Sequence, residues 1–266
     1  MVVFAAQGDA RRSMALLWRA AGPGSVRTGP GPKPALSIDM IVDAGIAIAD
    51  AEGMAALSMR AVGERLGRTA MALYTYVPSK SELVDLMYDQ VLIELPTGYD
   101  LSGGWRAAIT SWAQDHWEFY VRHPWVLQVS QARPVLGPND YAVVETLLRI
   151  LRETGLAPGA LRRLTGALIQ FVRGLAQTAA ESRQALIETG RSDEEWWEER
   201  ATLLTEVAPD FRERFPLVNW LAKEGAFTVE DGDGSYMERE GRETFRAGLA
   251  VLLDGVEAAM ASQPAR

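Results

Sequence analysis

From Ser37 onward, apolar residues recur at intervals of three and four. Ile38, Ile41, Val42, Gly45, Ile46 and Ala49 fall on one face, which predicts an amphipathic helix. Ser37 is its expected N-cap, Asp39 sits in the first turn where the helix dipole favours an anion, and Gly53 stops it. Ser58 is placed to cap a second, short helix, Met59–Leu66, with Val62 and Leu66 inward and Gly67 ending it in a left-handed conformation. A third short helix, Thr69–Tyr76, follows at once with Leu73 inward, and Val77-Pro78 breaks it. Ser79-Lys80-Ser81-Glu82 reads as a capping box in front of a fourth, longer helix carrying Leu83, Leu86, Met87 and Val91.

The rest of the pattern is helical too, over about 103–122, 124–131, 138–154, 158–188, 193–206, 210–223 and 236–262, with an exposed loop at 224–235. Strand signals are almost absent, so the predicted class is all-α. Three regions are expected. Residues 1–35 form a flexible N-terminal arm, because Gly and Pro dominate 22–34. Residues 36–96 form a helix-turn-helix domain that Pro96-Thr97-Gly98 closes, and residues 97–266 form a larger helical regulatory and dimerisation domain. Gly22, Gly24, Gly29 and Gly31 follow no strand, so a dinucleotide-binding reading fails on context.

Charge sharpens the division. Residues 1–80 carry nine Lys/Arg against six Asp/Glu, a net of +3, whereas residues 81–266 carry eighteen against twenty-nine, a net of −11. Only the first part is suited to meet phosphate. The absence of cysteine excludes disulfides and thiolate metal sites. No apolar run reaches the length of a bilayer span, and the apolar Met14–Trp18 is too short for a signal segment, so no membrane is expected and the location is expected to be cytoplasmic, associated with the nucleoid.

Two short helices across a glycine turn, with a longer helix packed over them, make a frame whose second member is narrow enough to enter a major groove. In Thr69–Tyr76, Leu73 faces inward, while Ala70, Met71, Tyr74 and Thr75 point outward and Tyr76 stands at the end. Ser58, Arg60, Arg68, Thr69 and Lys80 surround this helix as phosphate donors, and Arg27 and Lys33 in the arm are placed to reach a phosphate or the adjacent minor groove. Taken singly, Tyr74 and Tyr76 fit surface aromatics packed on the fourth helix; their place among these donors on one projecting helix is what favours DNA.

Lys33–Leu92 resembles the DNA-binding domain of the TetR family of bacterial repressors. The resemblance is carried by Ile41-Val-Asp-Ala-Gly45, by Ala51-Glu-Gly-Met-Ala-Ala-Leu-Ser-Met-Arg60, and above all by Leu66-Gly-Arg-Thr-Ala-Met-Ala-Leu-Tyr-Thr-Tyr-Val-Pro-Ser-Lys80 followed by Glu82-Leu83. It implies that Ser58 and Arg60 contact phosphate or a base, that Ala70, Met71, Tyr74, Thr75 and Tyr76 read DNA, and that Lys80 grips the backbone at the start of the fourth helix. Ala70 and Met71 depart from the polar or proline residues often found there, which leaves Arg60 as the candidate reader of guanine.

His123-Pro124-Trp125 and Phe245–Glu257 resemble the subgroup nearest the tetracycline repressor, in which two long helices of each subunit form a four-helix dimer interface. The matching segments are 158–188 and 236–262. Their stripes, Leu164, Leu168 and Phe171 in one and Leu249, Leu252, Leu253 and Val256 in the other, fit a dimer interface or an internal core alike. Trp112, His116, Trp117, Tyr120, Phe171, Trp196 and Trp220 are candidates to line an effector pocket, with core packing as the alternative.

The sequence implies double-stranded DNA with a palindromic operator, a small-molecule effector and a homodimer as partners, and no cofactor or metal. The magnesium-dependent mode of the tetracycline repressor is not carried over, because no matching ligand set is visible. An enzyme is not expected: no nucleophile elbow, metalloprotease motif or phosphate loop is present. Regulation without an effector, or by activation, remains open at this stage.

Overall fold

The computed structural model describes residues 3–5, 7–19, 36–228 and 232–262. Among them are twelve α-helices and no strand, apart from an isolated bridge between Val3 and Val129. Arg27, Lys33 and the Gly/Pro-rich 22–34 lie outside the described residues.

Side-chain caps set most of the predicted boundaries. Ser37 accepts from the Met40 N–H at 3.2 Å and opens α2, Ile38–Glu52, which Gly53 closes with φ of 77°. Ser58 accepts from the Ala61 N–H at 3.1 Å and opens α3, Met59–Arg65. Thr69 accepts from the Ala72 N–H and opens α4, Ala70–Tyr74. Ser79 opens α5, Lys80–Val91, but not as the expected capping box. Its hydroxyl accepts from the Ser81 N–H at 3.0 Å and donates to the Glu82 carboxylate, so Glu82 meets the hydroxyl of Ser79. A true capping box stands at Ser192 and Glu195, at the start of α9.

The larger helical part follows the predicted pattern with two changes. Its long members are α6, Gly104–Arg122; α7, Pro138–Arg152; α8, Pro158–Thr189; α9, Asp193–Val207; and α12, Tyr236–Ala261. The stretch expected at 124–131 is a 3-10 turn, Pro124–Gln128. The single helix expected at 210–223 is two, α10, Phe211–Arg214, and α11, Pro216–Lys223. Pro216 has no N–H to continue a helix and its ring disfavours helical geometry at Phe215, so it starts a new one.

Part of the N-terminal region differs from the flexible arm expected at 1–35. Ala10–Leu17 forms a helix, α1, capped by Asp9 and packed on α5. The Val3 N–H donates to the Gln128 carbonyl and the Val3 carbonyl accepts from the Ser130 N–H, both at 2.8 Å. Trp18 donates through Nε1 to the Leu136 carbonyl at 3.0 Å, and Arg19 pairs with Asp39. The reason is burial: Ala5 and Leu17 are covered, which offsets the ordering of this segment.

The described residues form two compact units, one up to Arg173 together with those from Ala259, the other Gly174–Ala258. In the first, α2 packs on α3 and α5, α5 packs on α7, and α6 packs on α7. The boundary expected near residue 96 is therefore not a gap in packing. In the second unit, Ser182, Ser235 and Asp193 join the start of α9 to α8 and to the residue before α12, and Arg183 pairs with the buried Glu238.

Candidate nucleic-acid interface

The interface is built on a small core. Ile41, Val62, Leu73, Val77, Leu83 and Met87 are fully buried and hold α2, α3, α4 and α5 together. Leu66, expected inward, is only half-buried. The turn between α3 and α4 requires two glycines. Gly67 has φ of 64°, a left-handed conformation that side chains resist. Gly63 is the close-approach position: a Cβ there would stand 2.7 Å from the Arg68 carbonyl oxygen and 3.2 Å from the Ala70 nitrogen. Arg68 donates its N–H to the Gly63 carbonyl at 2.8 Å, which locks the turn. Sequence reasoning passed over Gly63; its signal was a glycine four residues before the turn glycine.

With Leu73 anchored, the other side of α4 is presented to solvent. Met71 is 75% exposed and Tyr74 42%, and Thr75 is exposed beside them. Ala70 and Tyr76 are half-buried. Ser58, Arg60, Arg68, Thr69 and Lys80 are all exposed around the same two helices, so five donors flank one projecting helix. As helix caps, the hydroxyls of Ser58 and Thr69 accept through their oxygen lone pairs, and their protons remain available to a phosphate. Arg60 is engaged by Glu64 one turn on, Nε to Oε1 at 2.7 Å, and this pairing raises the guanidinium pKa further.

A polar junction links these helices to α6. His123, at the end of α6, is buried and meets Asp50 of α2 through Nδ1 at 2.8 Å and Glu94 through Nε2 at 3.1 Å. Burial opposes charge on this ring, but the two carboxylates outweigh it and hold the histidine above its usual pKa. Trp125 donates to the same Asp50 oxygen at 2.8 Å, and Arg122 donates to Glu94 at 2.8 Å. Asp89 of α5 caps α7 in turn, accepting from the Asn139 and Asp140 N–H groups at 3.0 Å each. Both contacts were invisible in sequence, where the partners lie 28 to 75 residues apart.

The pocket candidates separate. Trp112, His116, Trp117 and Tyr120 are buried along α6, and Phe171 is half-buried on α8. Trp196 and Trp220 are exposed on α9 and α11 of the second unit. Of the interface candidates, Leu168, Leu249, Leu253 and Val256 are already buried within the single chain, so they have little surface left to lose in a dimer. Leu164 and Leu252 keep partial exposure, and Val251 is 70% exposed beside the open positions Ala250 and Gly255. Among the described residues no cluster of metal-ligating groups occurs, and no helix is long and apolar enough to cross a membrane.

The chain matches the family model described as bacterial regulatory proteins, tetR family, over residues 41–87. It matches the one described as tetracyclin repressor-like, C-terminal domain, over residues 97–260. It is 37% identical to the HTH-type transcriptional repressor DrrR1 of Streptomyces coeruleorubidus, over 96% of this chain and 88% of that one. It is 30% identical to an HTH-type transcriptional regulator of Saccharopolyspora erythraea, over 61% of this chain and 72% of the relative. Among solved structures it is similar to the TetR family protein ActR of Streptomyces coelicolor in complex with (S)-DNPA. That likeness has a TM-score of 0.64 and 26% identity, over 85% of this chain and 98% of that one.

Proposed function

Because the chain belongs to the TetR family of bacterial regulatory proteins, we propose that it is a homodimeric repressor that occupies a palindromic operator and leaves it when a small molecule binds the helical regulatory part. The observation that carries this reading is α4. A helix of five residues is held by the buried Leu73 and turned so that Met71 and Tyr74 stand in solvent, ringed by Ser58, Arg60, Arg68, Thr69 and Lys80. Exposed apolar side chains suit thymine methyls and base edges, while the surrounding donors suit phosphate. Two such helices related by a twofold axis read half-sites one helical turn apart.

The relatives support the finer points. DrrR1 is a repressor by name, and ActR is captured with a small organic ligand. The chemistry asked of this chain is binding rather than turnover, since its family is one of regulators. Release needs only that the effector bind the DNA-competent and DNA-incompetent states with different affinity. The junction of His123 with Asp50 and Glu94, and the cap from Asp89 to α7, are the rigid contacts through which a shift of α6 or α7 reaches α2 and α5.

The test is a titration of the purified protein onto DNA from upstream of its own gene, backed by selection from random sequences, at two salt concentrations. Sequence-selective binding is expected, weakened by Tyr74→Ala, with Arg60→Ala lowering the salt slope by about one. Indifference to every sequence, in both formats, rejects the proposal.

A further inference from the structure

The N-terminal segment is fastened to the rest of the first unit in two places of unequal strength. At one, Val3 pairs with Gln128 and Ser130, and Ala5 and Leu17 are buried, so covered apolar surface holds α1 on α5. At the other, Trp18 and Arg19 are exposed side chains that reach in two directions. Trp18 donates through Nε1 to the Leu136 carbonyl at 3.0 Å, and its ring centre lies 6.1 Å from that of Tyr141 in the first turn of α7. Arg19 meets Asp39, in the first turn of α2, with both of its terminal nitrogens.

This second fastening is built to open. Among the described residues, Arg19 and Leu136 are the only ones other than glycine with positive φ, 47° and 61°. Left-handed backbone is uphill for both. One follows the donor Trp18 and the other supplies the accepting carbonyl, so the strain is gathered at a single hydrogen bond. What holds it closed is modest: that bond, open to water, and an ion pair whose side chains are 64% and 51% exposed. The structure on either side is firm. The Leu136 N–H donates to Asp140 of α7 at 3.2 Å. On the other side α2 packs on α3 and α5, and its Ile41 is buried in the core that also holds Val62 and Leu73.

We propose that Trp18 and Arg19 are positioning residues that form a latch between the start of α7 and the first turn of α2. Closed, it makes the two helix ends move as one and holds α2, with the α3 and α4 it supports, in the arrangement that binds DNA. Open, it lets α2 shift independently of α7. The inference rests on the operator reading above and supplies a contact that sets how much of the protein is competent to bind. The apolar stretch Met14–Trp18, too short for a signal segment, ends at this latch.

Hydrogen exchange on the full chain, read by mass spectrometry on peptides covering 36–45 and 138–145, tests the coupling without DNA. Trp18→Phe removes the donor on the α7 side, and Arg19→Gln removes the charge on the α2 side. Both side chains are exposed, so neither substitution threatens the fold. Each should speed exchange in both peptides by about two- to fivefold, the weight of one exposed hydrogen bond. Leu136→Asn keeps the accepting carbonyl and suits left-handed backbone, so it should slow exchange in both by about two- to fivefold. Faster exchange confined to the peptide beside the altered residue, or no change in either, overturns the latch.

A titration onto a duplex selected from random sequences separates the latch from the operator reading. Trp18→Phe should weaken binding by about two- to fivefold as the competent fraction falls, with an unchanged salt slope because no phosphate contact is lost. Leu136→Asn should not weaken it. Coupled exchange with an affinity that Trp18→Phe leaves unaltered rejects the positioning role. Coupled exchange in a chain that binds no duplex selectively keeps the latch and rejects the operator reading.

Discussion

The helices α2 to α5 and the helices α9 to α11 are both amphipathic by pattern, yet they end in opposite states. The first group closes on itself: α3 and α4 are only seven and five residues long, and each still buries at least one side chain completely. In the second group no residue of α9, α10 or α11 is buried, and Trp197, Leu203, Val207, Leu217 and Trp220 stand exposed. The lesson is that periodicity reports a face and not what covers it. A short helix with almost no intrinsic stability is held by its one buried side chain, Leu73, while a 15-residue helix with a full capping box persists as an exposed one.

The sharpest way to break the comparison is to remove one side chain from each group. Leu73→Ala leaves a cavity in a filled core and should lower stability by about 3 kcal/mol, read as a fall in the urea midpoint at constant slope. A loss under about 1 kcal/mol would mean that α4 is not anchored as described. Gly63→Ala drives a methyl into the Arg68 carbonyl and should cost about 1–3 kcal/mol, with loss of sequence-selective DNA binding. Unchanged binding would show that the α3–α4 turn can shift without penalty.

Glu64→Gln releases Arg60 from its intrahelical partner and removes an anion from the side proposed to meet DNA. Affinity for the operator should rise by roughly tenfold or less, with a steeper salt dependence and an unchanged melting temperature. Weaker binding would show that Glu64 orients Arg60 for its contact.

His123 gives the first group a pH dependence. Its pKa is raised in the folded chain, so its contribution is fully present below the unfolded value of about 6.5 and is lost as pH rises through the raised folded value. His123→Gln should flatten stability across that window, and a profile identical to that of the unaltered chain would remove the junction's role. The smallest effect belongs to the second group. Val207→Ala, at a side chain 76% exposed, should change stability by about 0.5 kcal/mol or less. A larger loss that grows with protein concentration would show that α9 is covered in the assembled protein.

Much of the α2–α4 region was legible in sequence because local chemistry decides it. Ser37 and Ser58 cap the helices they were expected to cap, Thr69, read as the first residue of its helix, caps it instead, and Gly53 and Gly67 end helices with positive φ. Leu73 was identified as the inward residue of α4, and it has no exposed surface at all. The regulatory part was legible as helices and little more. Trp112 and Trp220 carry the same kind of side chain at the same kind of helical position, yet one is fully buried and the other 55% exposed. The N-terminal helix was lost to a compositional argument, since Gly and Pro at 22–34 say nothing of Ala10–Leu17.

By itself, then, the chain's order of residues determined the helices, their caps, the tight turn and the exposed face of α4, all of which depend on neighbours within about four positions. Tertiary structure alone decided that His123 joins Asp50 to Glu94 and that Asp89 caps α7. It alone decided that Leu249, Leu253 and Val256 are covered by their own chain, and that Arg173 is buried with its guanidinium over the Tyr120 ring. Those outcomes depend on which faces meet across tens of residues, and a hydrophobic period carries no information about its partner.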